Sequence, residues 1–321
     1  MPAGTRLIKS RIKSIANTRK ITKAMELVAG AKMRKAVQMT VDSRHYSSGM
    51  KQLVEDVLPL INQRSHPLLY GRKDAKSSIL IIVASDRGLC GGFNAQLIKK
   101  CTEFIKQRNE PVRVITVGKK SEGPMRRQKL DIMASFESIS NAPTFERSKS
   151  TGQLAYDEFM HHRADRVFLC YSDFQSTISQ VPTIVQLLPI IDESELKTSI
   201  IEEEEDEKTS DPREQLNPTE RLAFDRQNTD KFTQNQEITF EPSPRYVLDQ
   251  LLPRLLETRL YQAMLESTAS EHSARMMAMR SATDSANEML ENLTFTYNQA
   301  RQAGITREIS EISAGKASLE N

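Results

Sequence analysis

The sequence predicts an α/β protein in which long N- and C-terminal helices form an antiparallel coiled coil that projects from a small Rossmann-like α/β domain. Three observations support this fold class. Apolar residues recur every three or four positions towards both ends of the chain, which is typical of helices. Between these ends, apolar β-branched runs alternate with helical patterns, as in a parallel sheet. The C-terminal helical pattern repeats every 3.5 residues, as in a coiled coil.

The N-terminal helix is predicted from Leu7 to Ile61, with Gly30 and Gly49 as the candidate positions for a bend. Residues 1–40 carry ten Lys and Arg residues but one acidic residue, Glu26, so this helix is strongly basic. Its predicted apolar face consists of Ile8, Ile12, Ile15, Ile21, Met25, Ala29, Met33 and Val37.

The α/β domain begins with an apolar run that is typical of a buried parallel strand. The predicted strands are Ser78–Ala84, Val112–Gly118, Asp131–Phe136, Arg166–Tyr171 and Thr177–Leu188. The predicted helices cover about 97–105, 119–127 and Ser148–His162. A strand, a helix and a second strand in succession indicate a βαβ crossover, and the last two strands resemble a hairpin.

A composition change follows the last strand. Residues 192–241 are acidic and polar, and 202–207 contain only Glu and Asp. Such a segment buries too little apolar surface to offset the entropy of ordering, so it is predicted to be a flexible insertion.

The C-terminal helix is predicted from Pro244 to Ala314, on the order of 100 Å of helix at 1.5 Å per residue. This length exceeds a small α/β domain, so the far part of the helix needs another partner. The N-terminal helix is the other long helix predicted, and it lies on the opposite side of the domain in sequence, which favours an antiparallel pair. The predicted seam is Leu265, Ala269, His272, Met276, Met279, Thr283, Ala286, Leu290, Leu293, Tyr297 and Ala300.

The resulting division is residues 1–62 for the first stalk helix, 76–191 for the α/β domain, 192–241 for the acidic insertion and 242–321 for the second stalk helix.

Bulk properties exclude several classes of protein. A net charge of +3 does not by itself indicate nucleic-acid binding, and a membrane-bound helix would need larger apolar anchors than those of the basic helix. No apolar run reaches the 18 to 20 residues of a membrane span, and the first residues lack a signal-peptide core, so we expect a protein that is not secreted. The odd number of cysteines, Cys90, Cys101 and Cys170, favours buried free thiols.

The motif that most resembles a ligand-binding site is Gly88-Leu-Cys-Gly-Gly, which lies between a predicted strand and a predicted helix. A phosphate could bind backbone N–H groups there, yet the spacing matches neither the dinucleotide fingerprint nor the P-loop. The motif therefore favours a tight structural turn. The histidines form no recognisable pattern with Cys90, and His161-His162 lacks a second ligand pair. We expect no catalytic residue, cofactor or metal site.

Three stretches, Ile12–Lys35, Ser85–Asn94 and Tyr297–Gly315, together resemble the gamma subunits of F-type ATP synthases in order and separation over nearly the whole chain. The resemblance implies a non-catalytic rotor of the central stalk. The alpha and beta subunits of the catalytic head would surround its helix pair. The epsilon subunit and the membrane rotor ring would bind its α/β domain, at the cytoplasmic face of the bacterial inner membrane.

The resemblance also implies contact residues. Positions that match the family's contacts with a catalytic-subunit loop are Arg275, Arg301, Gln302, Thr306 and Glu308, and the position that tunes coupling is Met25.

Two departures from the family pattern concern residues 192–241, which are longer than in most bacterial members, and Lys316, where the family usually has Ala. The insertion lacks the redox dithiol of plant-type members, and we expect it to modulate rotation or partner docking. The alternatives are a nucleotide-binding α/β enzyme whose helices dimerise, and a scaffold coiled coil, which would leave the α/β domain unexplained.

Overall fold

The computed structural model describes residues 3–57, 66–71, 76–137, 143–190, 241 and 243–319. The predicted acidic insertion lies outside these residues except for Glu241. The helices are α1 (Ala3–Val57), α2 (Phe93–Gln107), α3 (Lys119–Arg127), α4 (Phe145–Met160) and α5 (Pro244–Leu319). The strands are β1 (Ser78–Val83), β2 (Val112–Val117), β3 (Ile132–Phe136), β4 (Arg166–Phe174) and β5 (Gln180–Leu188). The predicted fold class is confirmed.

Within the described residues, the strands form one sheet in the order β3-β2-β1-β4-β5. The first four strands are parallel, and β5 pairs with β4 in the antiparallel direction, as predicted for a hairpin. The central strand β1 is buried along its whole length, which explains its continuous apolar sequence.

The two faces of the sheet have different helical covers. Ile79, Ile81 and Val83 belong to a core with α4 and with the ends of α1 and α5 nearest the sheet. Leu80 and Ile82 point into a second core with α2 and α3, because side chains alternate along a strand. The domain therefore has three layers, and one of its outer layers is built from α4 and the ends of the two long helices.

Helices α1 and α5 form an antiparallel pair. Ser43 bonds to Gln262, Thr22 to Thr283 and Arg19 to Asn287, so partner numbers rise on α5 as they fall on α1. The predicted seam of α5 is buried where it is tightest, at Leu265, Ala269, His272, Met279, Thr283 and Ala286.

The predicted apolar face of α1 needs one correction. Ile21 is 60% exposed, and its neighbour Thr22 is buried in the seam instead. The small buried residues Ala29, Gly30 and Ala36 allow close approach of the helices, and a Cβ at Gly30 would lie 3.2 Å from the sulfur of Met276. Neither Gly30 nor Gly49 interrupts α1, which runs as one helix through both.

Polar contacts attach α5 to the carboxyl ends of the strands. Three buried serines, spaced three residues apart, donate hydrogen bonds to backbone carbonyls next to the sheet. Ser267 bonds to Val83 at 3.1 Å, Ser270 to Ser172 at 3.1 Å, and Ser273 to Thr177 at 2.6 Å. Because these serines lie on one face of α5, they fix the rotation of the helix about its own axis relative to the sheet.

The cysteines are as the sequence predicts. Cys90, Cys101 and Cys170 are buried free thiols. In the described part of the chain, no helix is long and apolar enough to cross a membrane. No group of three or more His, Cys, Asp or Glu side chains in that part could hold a metal ion.

Two glycines provide a matched test of the backbone. Gly118 has a φ of +91°, and a Cβ there would lie 2.1 Å from the carbonyl oxygen of Ala84, whereas a Cβ at Gly49 meets nothing within 4 Å. We expect Gly118→Ala to lower the free energy of unfolding by more than about 2 kcal/mol, because both the backbone and the carbonyl must move. We expect Gly49→Ala to raise it by up to about 1 kcal/mol, through helix propensity.

Urea unfolding followed by circular dichroism measures both changes. Equal effects of the two substitutions would contradict the tight passage at Gly118.

Candidate interaction surfaces

The residues singled out by resemblance lie in two places rather than one. Met25 and Arg275 line the same groove, which lies near the α/β domain. Arg301, Gln302, Thr306 and Glu308 lie near the far end of α5. Arg275 and Arg301 are separated by about 40 Å of helix at 1.5 Å per residue. A single partner loop cannot contact both places at once.

The groove has a volume of about 460 Å³ and lies between α1, α5 and the turn that follows β1. Apolar side chains of α1 form one wall of the groove. The turn after β1 contributes the apolar side chain of Leu89 and the cationic side chain of Arg87. The groove is lined by, among others, Ile21, Met25, Val28, Lys32, Arg87 and Leu89, together with Glu271, His272 and Arg275 of α5.

The guanidinium group of Arg275 binds its own chain. Its Nε and Nη2 atoms donate to the carbonyl oxygen of Gly88 at 3.3 and 3.2 Å, and Nη2 also donates to that of Arg87 at 3.2 Å. Nη2 forms an ion pair with Glu271 at 2.7 Å. The Arg275 side chain is only 11% exposed. These bonds connect α5 to the turn.

His272 completes this cluster as a neutral acceptor. Burial, followed by the nearby charges of Arg275 and Lys32, lowers the pKa of His272 to about 4. The imidazole is therefore uncharged at neutral pH, and Nη1 of Arg275 donates to its Nδ1 at 3.1 Å. A cation can donate to His272 only while the ring stays neutral, so burial and hydrogen bonding favour the same state.

The turn at residues 85–94 is held mainly by its own side chains. Asn94 accepts a hydrogen bond from the backbone N–H of Ser85 at 3.1 Å and donates to the Ser85 hydroxyl at 2.7 Å. Ser85 in turn donates to the carbonyl oxygen of Arg87 at 2.7 Å. On the other side, a Cβ at Gly91 would lie 3.7 Å from Ala278 of α5. These contacts give the glycine-rich motif the structural role that its spacing favoured.

Leu89 is the unusual residue of this turn. Its φ is +63°, in the left-handed region that residues with a side chain seldom adopt, and its side chain is 62% exposed. An apolar side chain in a strained and exposed position suggests a contact made by another molecule.

The far end of α5 extends beyond α1. The antiparallel register places Thr5, near the start of α1, beside Ala300, and the described side chains from Arg301 onward are almost all exposed. Ile305, Ile309 and Ile312 are 50%, 58% and 73% exposed. On a helix with 3.6 residues per turn these three form one apolar stripe. Arg301 and Glu308 flank one side of the stripe, and Gln302 and Thr306 flank the other.

An apolar stripe with polar flanks is the usual anatomy of a protein interface. The flanking residues follow from the family resemblance, whereas the stripe and Leu89 were not predicted. The spacing of four and three residues between Ile305, Ile309 and Ile312, past the end of the predicted seam, was the available signal.

Comparison with known proteins gives consistent results along the chain. The family model described as ATP synthase matches residues 4–319. The ATP synthase gamma chain of Alkaliphilus metalliredigens is 36% identical over 320 residues, which cover all of both chains. That of Heliobacterium modesticaldum is 37% identical over 316 residues, which cover 98% of this chain and 99% of the relative.

Solved structures share the fold. The central stalk and c-ring structure of the Tetrahymena thermophila mitochondrial ATP synthase contains a chain that is 24% identical, with a TM-score of 0.57, covering 82% of this chain and 99% of that one. A chain of the Euglena gracilis mitochondrial enzyme, in a structure of OSCP, F1 and the c-ring, is 16% identical, with a TM-score of 0.62 and coverage of 98% and 94%.

The low pKa of His272 predicts a pH dependence of stability. Below the ordinary pKa of about 6.5 the unfolded chain protonates this side chain while the folded chain does not, so the unfolded state binds more protons and stability falls as the pH drops towards 4. We expect His272→Gln, which keeps an acceptor for Arg275, to lose about 2 to 3 kcal/mol less than the original chain between pH 7 and 4.

Chemical unfolding at a series of pH values measures this difference. Above pH 7 the offset between the two chains should stay constant. Parallel curves down to pH 4 would show that His272 is not held neutral.

Proposed function

The chain belongs to the gamma-chain family of ATP synthases, and we propose that it is the rotor of the central stalk, which couples ion flow through the membrane sector to ATP synthesis and hydrolysis in the catalytic head. It would do so by rotation and without catalytic residues of its own.

The observation that carries this proposal is the path of α5. The first part of this 76-residue helix is buried in the core of the α/β domain, its middle pairs with α1, and its far end is exposed. A torque applied to the α/β domain would therefore pass along one continuous helix, without a hinge loop, to the far end. Pairing with α1 makes that shaft stiffer than a single helix.

The asymmetry of such a shaft supplies a mechanism. Because the groove, the basic surface of α1 and the apolar stripe lie on particular sides, three equivalent catalytic sites around the shaft would each meet a different surface. Each surface would favour a different conformation of the adjacent catalytic subunit, and turning the shaft by a third of a revolution would exchange these preferences. The free energy of contact between the shaft and the catalytic subunits would thus favour each conformation at each of the three sites in turn.

We place the partners at different levels of the molecule. The alpha and beta subunits would surround α1 and α5, and the epsilon subunit and the rotor ring would bind the α/β domain. The solved mitochondrial structures that share this fold contain a central stalk with its c-ring or F1 with a c-ring, which supports this arrangement. Because the relatives compared in sequence are bacterial, we propose a peripheral position at the cytoplasmic face of the bacterial inner membrane.

The two surfaces would have separate roles. At the tip, Arg301, Gln302, Thr306 and Glu308 would form the polar rim around the apolar stripe where it meets a catalytic-subunit loop. At the groove, Met25 of α1 would tune coupling, because its side chain lines the surface that a catalytic subunit would contact there.

The rival reading, a nucleotide-binding enzyme, has less support. Polar groups of the turn at Gly88 already form hydrogen bonds, among them those between Ser85 and Asn94 and between Arg275 and Gly88. Ala278 lies against Gly91. A phosphate would bind backbone N–H groups, and that of Phe93 at the start of α2 already donates to the carbonyl oxygen of Cys90 at 3.2 Å.

The reconstituted head tests the rotor function. Purified alpha and beta subunits should hydrolyse ATP at the full rate with this chain, and this chain alone should hydrolyse nothing. The triple variant Ile305→Ser, Ile309→Ser and Ile312→Ser should need a concentration at least about tenfold higher for half-maximal stimulation, because a stripe worth more than 1 kcal/mol is lost.

The matched control is Arg307→Ala with Glu311→Ala, which removes an exposed ion pair from the opposite side of the same helix and should behave like the original chain. Equal effects of the two variants, or nucleotide binding by a chain that does not join the head, would contradict the proposal.

The acidic insertion lies outside the described residues, and its proposed role in rotation or docking is separable. Deletion of residues 202–230 should change the rate of ATP hydrolysis or its inhibition in the same assay. If rate, inhibition and assembly all stay unchanged, the insertion has no such role.

A further inference from the structure

We propose that Arg275 is a positioning residue: it holds the turn Arg87–Leu89 so that the Leu89 side chain contacts an acidic and apolar segment of the catalytic head, and the guanidinium group itself makes no essential contact with that segment. This inference rests on the proposed function and assigns to Arg275 a role different from the direct contact that the resemblance implies.

The first support is the complete use of the guanidinium group. Its three nitrogens bond to the Gly88 and Arg87 carbonyl oxygens, to the His272 ring and to the Glu271 carboxylate. Both side chains of the ion pair are buried, at 11% and 3% exposure. A partner carboxylate would have to compete with Glu271 for a cation that is already neutralised and shielded from solvent.

The second support is where those bonds end. Arg87 and Gly88 immediately precede Leu89, the residue with the left-handed φ of +63°. Their carbonyl oxygens are fixed by Arg275, and that of Arg87 also accepts the Ser85 hydroxyl. Because the left-handed conformation is unfavourable for leucine, bonds from outside the turn add to those of Ser85 and Asn94 in stabilising it. Arg275 supplies these bonds from a different element, so it connects the orientation of Leu89 to α5.

The third support is the surface that Leu89 completes. Leu89, Ile21 and Val28 are 62%, 60% and 57% exposed and line one groove, so they form an apolar patch. Arg87 and Lys32 stand at the same groove with exposed side chains, and both are cationic. The complementary partner is a segment that carries carboxylates beside an apolar side chain.

The two roles for Arg275 predict different behaviour of a lysine at this position. Arg275→Lys retains the positive charge but lacks the planar fork that reaches two carbonyl oxygens and the histidine together. A direct electrostatic contact would survive this change largely intact. A positioning role would lose most of its effect, as it would with Arg275→Ala.

Hydrogen exchange of the free chain tests the positioning step without any partner. We expect backbone amides in 86–93 to exchange at least about tenfold faster in Arg275→Lys and Arg275→Ala, because charge-assisted bonds to the turn are lost. Arg280→Ala, an exposed arginine on the same helix, is the control and should leave this segment unchanged. Unchanged exchange of 86–93 in Arg275→Ala would overturn the proposal.

A double-mutant cycle in the reconstituted head tests the contact step. Leu89→Ala and Arg275→Lys should each raise the chain concentration needed for half-maximal stimulation of ATP hydrolysis by roughly five- to tenfold. The double variant should need no higher a concentration than the single variant with the larger effect. Leu53→Ala, which truncates a leucine that is 46% exposed near the end of α1 beside the α/β domain, is the control and should have no effect.

Losses that multiply in the double variant would mean that Arg275 acts independently of Leu89, and would overturn the proposal. Failure of the original chain to stimulate the head would instead reject the proposed function, and the exchange experiment on the free chain would still decide whether Arg275 holds the turn.

Discussion

The structure depends on one helix that serves two cores. Near its start, α5 contributes Leu248, Leu252 and Leu256 to the core beneath the sheet, and further along it contributes Ala269, Met279 and Ala286 to the seam with α1. A helix shared in this way cannot rotate in one core without disturbing the other. The α/β domain and the coiled coil therefore behave as one rigid body where α5 leaves the sheet, and this is the property that a rotor needs.

The exit of α5 from the sheet is also where polar contacts concentrate. Ser267 and Ser270 bond to carbonyl oxygens at β1 and β4, and Arg275, less than two turns later, bonds to the turn that follows β1. The groove thus lies at the junction of shaft and domain. A contact made there can respond to a rotation of the domain more directly than a contact at the tip, which lies about 40 Å away along the helix.

Elements with strong periodicity could be predicted from the sequence. The run Ser78–Val83 is apolar on both faces and forms the central strand, and the seam from Leu265 to Ala286 follows its 3.5-residue repeat. Ile21 was wrongly assigned to the buried face of α1. The next residue, Thr22, is buried there instead because its hydroxyl bonds to that of Thr283, and a hydropathy pattern does not predict such a bond. The internal role of Arg275 could not be predicted, because it depends on which carbonyl oxygens the turn at Gly88 presents.

The proposed function requires that this chain turn as a unit within the catalytic head. This can be tested by attaching a bead to a cysteine introduced by Ile178→Cys. Ile178 lies in the turn between β4 and β5 and is 83% exposed, whereas the three native cysteines are buried. With the head immobilised and ATP supplied, we expect rotation of the bead in one direction, in steps of a third of a revolution. ATP hydrolysis at the full rate with a stationary bead would contradict it.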